Sequence, residues 1–359
     1  MEEDINELDV EKEIEDDITT ESYDIATYPS DYTVSVLYEM WDNKDIEIPD
    51  YQRNFVWTIY QSSLLIDSLL TGLPIPPLFF YIDEQNKNLV IDGQQRLLST
   101  IFFISGYFGE EDSRGKKRVF RLSGLSENSQ FKNKRFIDLT DSDQRKLKQA
   151  ILRVINIRQL KPEGDSSCAY HIFERLNTGG TALSPQEIRN VVFRGKFNQE
   201  LKEANQDLAW RKILGKTDLD KRQKDVELVL RLYSLVNNIS NYEKPMKKFL
   251  NDEMLFSKNG NSKRVKDFFK NFYLASKIVA DQLGEKPFHL RGPLNISALD
   301  SIMSVIIENA EKNSFKDLEN KFSLLKRDQT FIESTTSNTT DAKTVLARIE
   351  VVKSYLLRD

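Results

Sequence analysis

Three short stretches of the sequence combine residue types that bind phosphates and bases. The first, Asp92-Gly93-Gln94-Gln95-Arg96, follows an apolar segment and opens an apolar helix. The free N–H groups and the dipole at a helix N-terminus attract anions, glycine lets the backbone approach a phosphate closely, and arginine binds phosphate through two parallel hydrogen bonds. The same residues also fit a plain helix start, in which Asp92 caps the helix and Gln95 is its capping-box partner. Both interpretations stay open at this point.

The second stretch, residues 49–57, places Gln52 and Arg53 among aromatic residues directly before a predicted helix. Aromatic rings beside a guanidinium suit base stacking together with phosphate contact. The alternative is a surface loop whose Trp57 packs against the following helix.

The third stretch, residues 173–180, carries Arg175 and Asn177 at a predicted helix end before a double-glycine turn. These side chains would reach a ligand held by the other two stretches. The alternative is that Asn177 is part of an ordinary helix C-cap and that Arg175 is exposed to solvent. Arg189 and Asn190, one turn into the next predicted helix, are either further ligand contacts or a polar helix face.

The elements that must position these residues alternate between helices and strands up to about residue 160 and are mostly helical afterwards. Thr58 with Gln61 is a capping box, and Gly72 marks the end of that helix. Ser184, Pro185 and Glu187 form a second helix start. The other predicted elements are a helix over 33–42, a strand over 45–48, a hairpin of 78–82 with 89–91, a helix over 97–104, a strand pair of 119–122 with 135–139, and a strand over 151–160.

Composition limits the class of protein. The 359 residues are 39% hydrophobic and 30% charged, which suits a folded chain with a sizeable core. A single cysteine, Cys168, excludes an internal disulfide framework. The two histidines are distant in the sequence, which argues against a histidine-rich metal centre. No apolar run approaches the roughly 18 residues that span a bilayer, and the start of the chain lacks the order of a secretion signal. We therefore expect a cytoplasmic protein without a membrane partner.

Charge is distributed unevenly along the chain. Residues 1–26 contain 12 acidic residues and one lysine, a net charge of -11, and the whole chain is at -5, so residues 27–359 carry +6. The acidic arm is either a flexible, self-repelling tail or a phosphate mimic that occupies a basic groove. The positive remainder suits a phosphate-bearing ligand.

Common catalytic signatures are absent from the sequence. It has no Gly-x-x-x-x-Gly-Lys-Ser/Thr phosphate loop, no Gly-x-Gly-x-x-Gly fingerprint, no paired-histidine metalloprotease motif and no Gly-x-Ser-x-Gly elbow. Any nucleotide site would therefore depend on another arrangement.

Four motifs in order resemble one family. They are 51–53 (Tyr-Gln-Arg) with Trp57, 73–77 (Leu-Pro-Ile-Pro-Pro), 92–96 with Ser99 and Thr100, and 173–180. Together they resemble the N-terminal domain of GmrSD-type restriction endonucleases, over about residues 33–195. The resemblance implies an α+β chain with a ParB/sulfiredoxin-like N-terminal domain and a mostly α-helical C-terminal region. We divide the chain into the acidic arm (1–26), the nucleotide-binding domain (27–195) and a helical sensor, adaptor or oligomerisation region (196–359).

The resemblance also implies a function and the residues that perform it. The domain would bind and hydrolyse a nucleoside triphosphate, ATP or GTP, in a bacterial anti-phage system that senses modified phage DNA and licenses a nuclease. Asp92, Arg96 and Arg53 would be catalytic, and Asp92 would also organise a magnesium ion or the attacking water. The nucleotide-binding set would be Gln52, Arg53, Gly93, Gln94, Gln95, Arg96, Thr100, Arg175 and Asn177.

The nuclease that such systems require is expected on another chain. An HNH site needs several histidines around one metal ion, and residues 196–359 contain one histidine, His289. One alternative is a DNA-binding or protein-interaction module that binds nucleotide without turnover, with the basic residues 114–118 and 132–135 on a DNA backbone. Another is a nuclease that uses the Asp92 and Arg96 site itself.

Overall fold

The computed structural model describes residues 24–48, 55–83, 85–109, 115–161, 170–172, 184–312 and 315–357. Contacts divide the chain into two compact units, one formed by residues 22–182 and one that includes residues 183–359. The first contains a mixed sheet with helices and the second is helical, which confirms the α+β class and the helical C-terminal region. The ParB/sulfiredoxin-like assignment and the boundaries at 26/27 and 195/196 stay predictions.

The sheet of the first unit contains the strands β1 (Asp24–Thr33), β2 (Ile46–Glu47), β3 (Leu78–Ile82), β4 (Asn88–Asp92) and β7 (Ile151–Lys161). Their order in the sheet is β1-β7-β3-β4-β2. β1 and β7 are antiparallel, β7 and β3 parallel, β3 and β4 antiparallel, and β4 and β2 parallel. This topology places the β3–β4 hairpin, which leads into the candidate site, inside the sheet.

The described part of the first unit also contains helices α1 (Val34–Asp42), α2 (Ile59–Thr71), α3 (Gln94–Ser105) and α4 (Asp141–Gln149). The capping box predicted for α2 is present, and Gly72 ends that helix in the left-handed conformation. The central part of α3 is buried in the core, from Leu97 to Phe103. Packing against the core therefore fixes the position of α3 and of its first turn.

The segment between α3 and α4 differs from its prediction. The strand pair of 119–122 with 135–139 is wrong, because 136–138 is a 3-10 helix and the described strands there are β5 (Tyr107–Phe108) and β6 (Arg118–Val119). Leu122 does exchange backbone hydrogen bonds with Asn133 and Lys134, but this contact does not extend into a strand pair.

The second unit is a set of packed helices. Ser184 and Glu187 form the predicted capping box of its first helix. Within the described residues, each helix is too short or too polar to cross a membrane. The helices are α5 (Pro185–Val192), α6 (Lys196–Ala204), α7 (Leu208–Leu214), α8 (Lys224–Asn238), α9 (Met246–Ser257), α10 (Lys263–Gln282), α11 (Ile296–Asn309), α12 (Leu318–Leu325), α13 (Gln329–Ser334) and α14 (Ala342–Leu356).

Candidate anion-binding site at the start of helix α3

A β-bulge lies where β4 ends and the site begins. Phe80 pairs with Val90, but Phe79 pairs with Asp92, so β4 contributes one extra residue, Ile91, to this part of the ladder. A bulge bends its strand and redirects the side chains that follow. Asp92 therefore leaves the sheet with a side chain that is 45% exposed.

Gly93 is the N-cap of α3 and makes the turn possible. Its φ is +94°, in the left-handed region that glycine adopts without a steric penalty. A Cβ at this position would lie 2.3 Å from Cδ2 of the fully buried Leu78 and 3.1 Å from Nη2 of Arg96. The absence of a side chain thus lets the Arg96 guanidinium pack directly against the turn.

The plain capping interpretation of Asp92 is wrong. The N-cap residue is Gly93, without a side-chain cap, and the first intrahelical bond runs from the N–H of Leu97 to the Gly93 carbonyl at 2.9 Å. The N-cap glycine therefore supplies no side-chain acceptor to the N–H groups of the first turn of α3. An anion from outside is the alternative partner for such a terminus.

Arg96 folds back over the helix start and is held there from two sides. Its Nη2 donates to Asp92 Oδ2 at 2.6 Å and to the Pro77 carbonyl at 3.3 Å. The side chain is 15% exposed, and its Nε is buried without a hydrogen-bond partner. Buried donors are nearly always satisfied in folded proteins. The guanidinium is therefore oriented by Asp92 but retains hydrogen-bonding capacity.

Gln95 connects the helix start to the end of the second motif. Its Oε1 accepts from the backbone N–H of Val56 at 3.0 Å and of Trp57 at 3.1 Å. The predicted capping role of Gln95 is therefore wrong. Two motifs that lie almost forty residues apart in the chain meet through one amide side chain.

Replacing Gln95 by methionine removes this acceptor while keeping the length of the side chain. We expect a loss of about 1 kcal/mol, because the two N–H groups lose their partner. Hydrogen exchange at Val56 and Trp57 should become about 5-fold faster through local opening. Gln95→Glu keeps an oxygen at the same position and is the matched control. Unchanged exchange in Gln95→Met would contradict the contact.

The other predicted site residues fall into two groups. Thr100 is 3% exposed, and its hydroxyl donates to the Arg96 carbonyl at 2.9 Å, so it is engaged inside the helix. Gln94 is half-buried in the first turn of α3. Their ligand roles stay predictions, as do those of four residues that lie outside the described residues: Gln52, Arg53, Arg175 and Asn177.

Arg189 and Asn190, the candidates in the second unit, have structural partners. Arg189 is 1% exposed, and it donates to Asn251 Oδ1 at 2.8 Å and to Glu227 Oε2 at 2.8 Å. Asn190 is also buried and hydrogen bonds to Gln186 and Gln223. These contacts cross-link α5 to neighbouring helices, which favours the structural interpretation.

A magnesium ion fits the donors at this site only together with a ligand that brings its own oxygens. Among the described residues, no three His, Cys, Asp or Glu side chains form a metal-binding cluster. Mg²⁺ commonly uses one or two carboxylates together with substrate phosphates and water. The partly exposed carboxylate of Asp92 meets that requirement at the helix start.

Comparison with known proteins finds one family that matches part of the chain. Residues 36–194 match the family model described as the GmrSD restriction endonuclease N-terminal domain. This match covers the β4–α3 junction and extends into α5. No curated protein matches the chain.

Proposed function

We propose that the chain is the nucleotide-dependent regulatory component of a restriction-type defence system. Residues 36–194 belong to the GmrSD restriction endonuclease N-terminal domain family, whose members are components of such systems. It would bind a nucleoside triphosphate, ATP or GTP, at the start of α3 and hydrolyse it. The response would pass to a nuclease on a separate chain.

The start of α3 is the observation that supports nucleotide binding. A glycine without room for a Cβ, a helix N-terminus without a side-chain cap and an arginine with a buried unsatisfied Nε lie together there. The uncapped N-terminus and the arginine each favour an anion, and their combination suits the clustered charges of a triphosphate. Gly93 would keep the Arg96 guanidinium against the helix start, and Arg96 would neutralise the phosphate oxygens.

Hydrolysis requires in addition that the attacking water be positioned and that charge on the transferred phosphate be stabilised. Water attacks the γ-phosphorus, the bond to the β–γ bridging oxygen breaks, and the products are a nucleoside diphosphate and inorganic phosphate. Asp92 would hold the water and orient Arg96 through their 2.6 Å bond. Arg96 would stabilise the developing negative charge.

Asp92 would hold a magnesium ion together with the triphosphate, and the ion would supply positive charge that stabilises the phosphates. The Asp92 carboxylate would then bind the cation, and the Arg96 guanidinium would bind the phosphate. Gln95 would keep Val56 and Trp57 beside the helix start.

Phosphate release from ATP and GTP, with magnesium and with or without phage DNA, tests the proposal. We expect turnover by the full chain that depends on Arg96 and Asp92. Nucleotide that raises the melting temperature without any phosphate release would instead favour a module that binds nucleotide and acts through a partner. Absence of both effects would refute the nucleotide site.

A further inference from the structure

A cavity in the first unit lies between the residues that precede α2 and the residues of and beside β5 and β6. It has a volume of about 410 Å³, within the usual range of small-ligand pockets. One side is aromatic and the other is basic. The lining residues are Phe55, Trp57, Phe108, Gly109, Lys116, Lys117 and Arg118.

The aromatic side is fixed by contacts within the core. The Phe55 ring packs edge-on against Phe102 and Phe108, with centroid distances of 5.0 and 5.3 Å. Trp57 is half-buried, and its backbone N–H is held by Gln95. The rings of Phe55 and Phe108 are therefore fixed, and the Trp57 backbone is held beside them, so a flat ligand would meet a largely prearranged aromatic surface.

The basic side consists of three consecutive cations on or beside β6, and all three are exposed. Lys117 Nζ lies 4.3 Å from the centroid of the Tyr107 ring, and Arg118 Cζ lies 5.8 Å from that of Phe108. These positions place positive charge at the rim of an aromatic pocket. In sequence, residues 110–118 hold three acidic and four basic residues, a net charge of +1, so electrostatic attraction there is moderate.

We propose that this pocket binds an unpaired base of a single-stranded nucleic acid, with the flanking phosphates on Lys116, Lys117 and Arg118. Proteins that hold single strands combine aromatic stacking platforms with a basic track along the backbone. Flexible exposed lysines suit the spaced charges of a strand, whereas the glycine turn and helix start of α3 suit clustered phosphates. Binding of a strand here does not require nucleotide binding at α3.

Fluorescence of the full chain titrated with an oligothymidine of about 15 nucleotides tests the pocket. Of the three tryptophans, Trp57 lines the pocket, and Trp210 is fully buried in the other unit. Stacking should quench Trp57, and Trp57→Phe should remove the quenching while retaining affinity measured by anisotropy. Trp57→Ala should weaken binding by about 10-fold, because stacking is lost.

Charge variants test the basic side against a matched control. The triple change Lys116→Gln, Lys117→Gln and Arg118→Gln should weaken binding at least roughly 10-fold and flatten the salt dependence, because up to three phosphate contacts disappear. Helix α4 offers the control, since Arg145, Lys146 and Lys148 are also one arginine and two lysines on the exposed surface of the same unit. Their replacement by glutamine should change affinity less than about twofold.

The source of the bound base is distinguished by parallel titrations with oligouridine and with ATP alone. Binding of the oligonucleotides, with quenching of Trp57, supports the proposal, and the ratio of their affinities shows whether DNA or RNA is preferred. Quenching of Trp57 by ATP but not by a strand would overturn it and make the pocket a base site for free nucleotide. Equal losses in the β6 and α4 triple variants, or no strand binding at all, would also overturn it.

Discussion

Replacing Gly93 by alanine is expected to lower the free energy of unfolding of the first unit by about 3 kcal/mol. Holding an L-residue at φ +94° costs about 1–2 kcal/mol. The new Cβ would also lie 2.3 Å from Leu78 Cδ2, and overpacking of a buried site adds about 1–3 kcal/mol. Because the Cβ would also crowd Arg96, nucleotide binding should fall together with stability.

Gly106 is the matched control, because it ends the same helix at φ +83° and a Cβ there would meet nothing within 4 Å. Gly106→Ala should therefore cost only the backbone strain, about 1 kcal/mol. Hydrogen exchange of peptides from α2 and α3 measures both variants, with peptides from the second unit as the internal reference. Measuring exchange peptide by peptide avoids fitting a single unfolding transition to a chain that has two units.

A double variant separates the two components of the cost. Leu78→Ala in the Gly93→Ala background removes the clashing methyl, so the combined loss should be smaller than the sum of the single losses by about 1–2 kcal/mol. Strict additivity would show that strain alone acts at Gly93. Equal stability of Gly93→Ala and Gly106→Ala would contradict the crowding that the structure indicates.

Local signals were sufficient to predict the helices and the hairpin that carry the site. The pair Thr58 and Gln61 marked the start of α2, and Gly72 marked its end. Each of these signals was readable because a helix cap involves only residues within about four positions of the helix end. The apolar runs of β3 and β4 and the polar turn between them gave the hairpin in the same way. The position of residues 92–96 between a strand and a helix was thus predictable from neighbouring residues alone.

The details that depend on tertiary contacts were not predictable. The bulge at Ile91 shifts the register of β4, and no local residue signals it. Asp92 was equally compatible with capping α3, and that role is excluded only by the N-cap position of Gly93 in the structure, where Asp92 instead accepts from Arg96. The partners of Gln95 are distant in sequence, so the residue resembled an ordinary capping-box glutamine.

Strand β1 and the hairpin β5–β6 were missed for a related reason. β1 is polar, contains Pro29 and lies at the edge of the sheet, where proline is tolerated and one side has no strand neighbour. Its pairing with the alternating strand β7 makes it a strand, and its own sequence pattern does not. The predicted pair of 119–122 with 135–139 failed because short apolar stretches fit turns and 3-10 helices equally well.

The largest functional effects are expected from substitutions of Asp92 and Arg96, and the two substitutions should change nucleotide affinity and turnover in different ways. Asp92→Asn keeps an oxygen for the Arg96 hydrogen bond but removes the negative charge that would hold water and magnesium. Turnover should fall at least about 100-fold, while nucleotide affinity is retained or rises because a charge that repels phosphate is gone.

Arg96→Lys should weaken nucleotide binding and turnover together. Lysine keeps the charge but loses the planar fork that contacts Asp92 and the Pro77 carbonyl, so the remaining cation is poorly placed. We expect affinity to fall about 10-fold and turnover at least about 100-fold, since phosphate charge must be stabilised in both the ground state and the transition state. Equilibrium binding of a non-hydrolysable nucleotide separates the two quantities.

The Arg135–Asp138 pair provides the control for both variants. It joins the same residue types in the same unit through two hydrogen bonds of 2.8 and 2.7 Å, and the Arg135 guanidinium holds the pKa of the Asp138 carboxyl well below its usual range. Asp138→Asn and Arg135→Lys should leave turnover within about twofold of the unmodified protein, because exposed pairs contribute little to stability. If Asp92→Asn and Arg96→Lys behave like these controls, hydrolysis takes place elsewhere. Opposite responses of affinity in the two site variants would assign the carboxylate to the water and metal and the guanidinium to the phosphate.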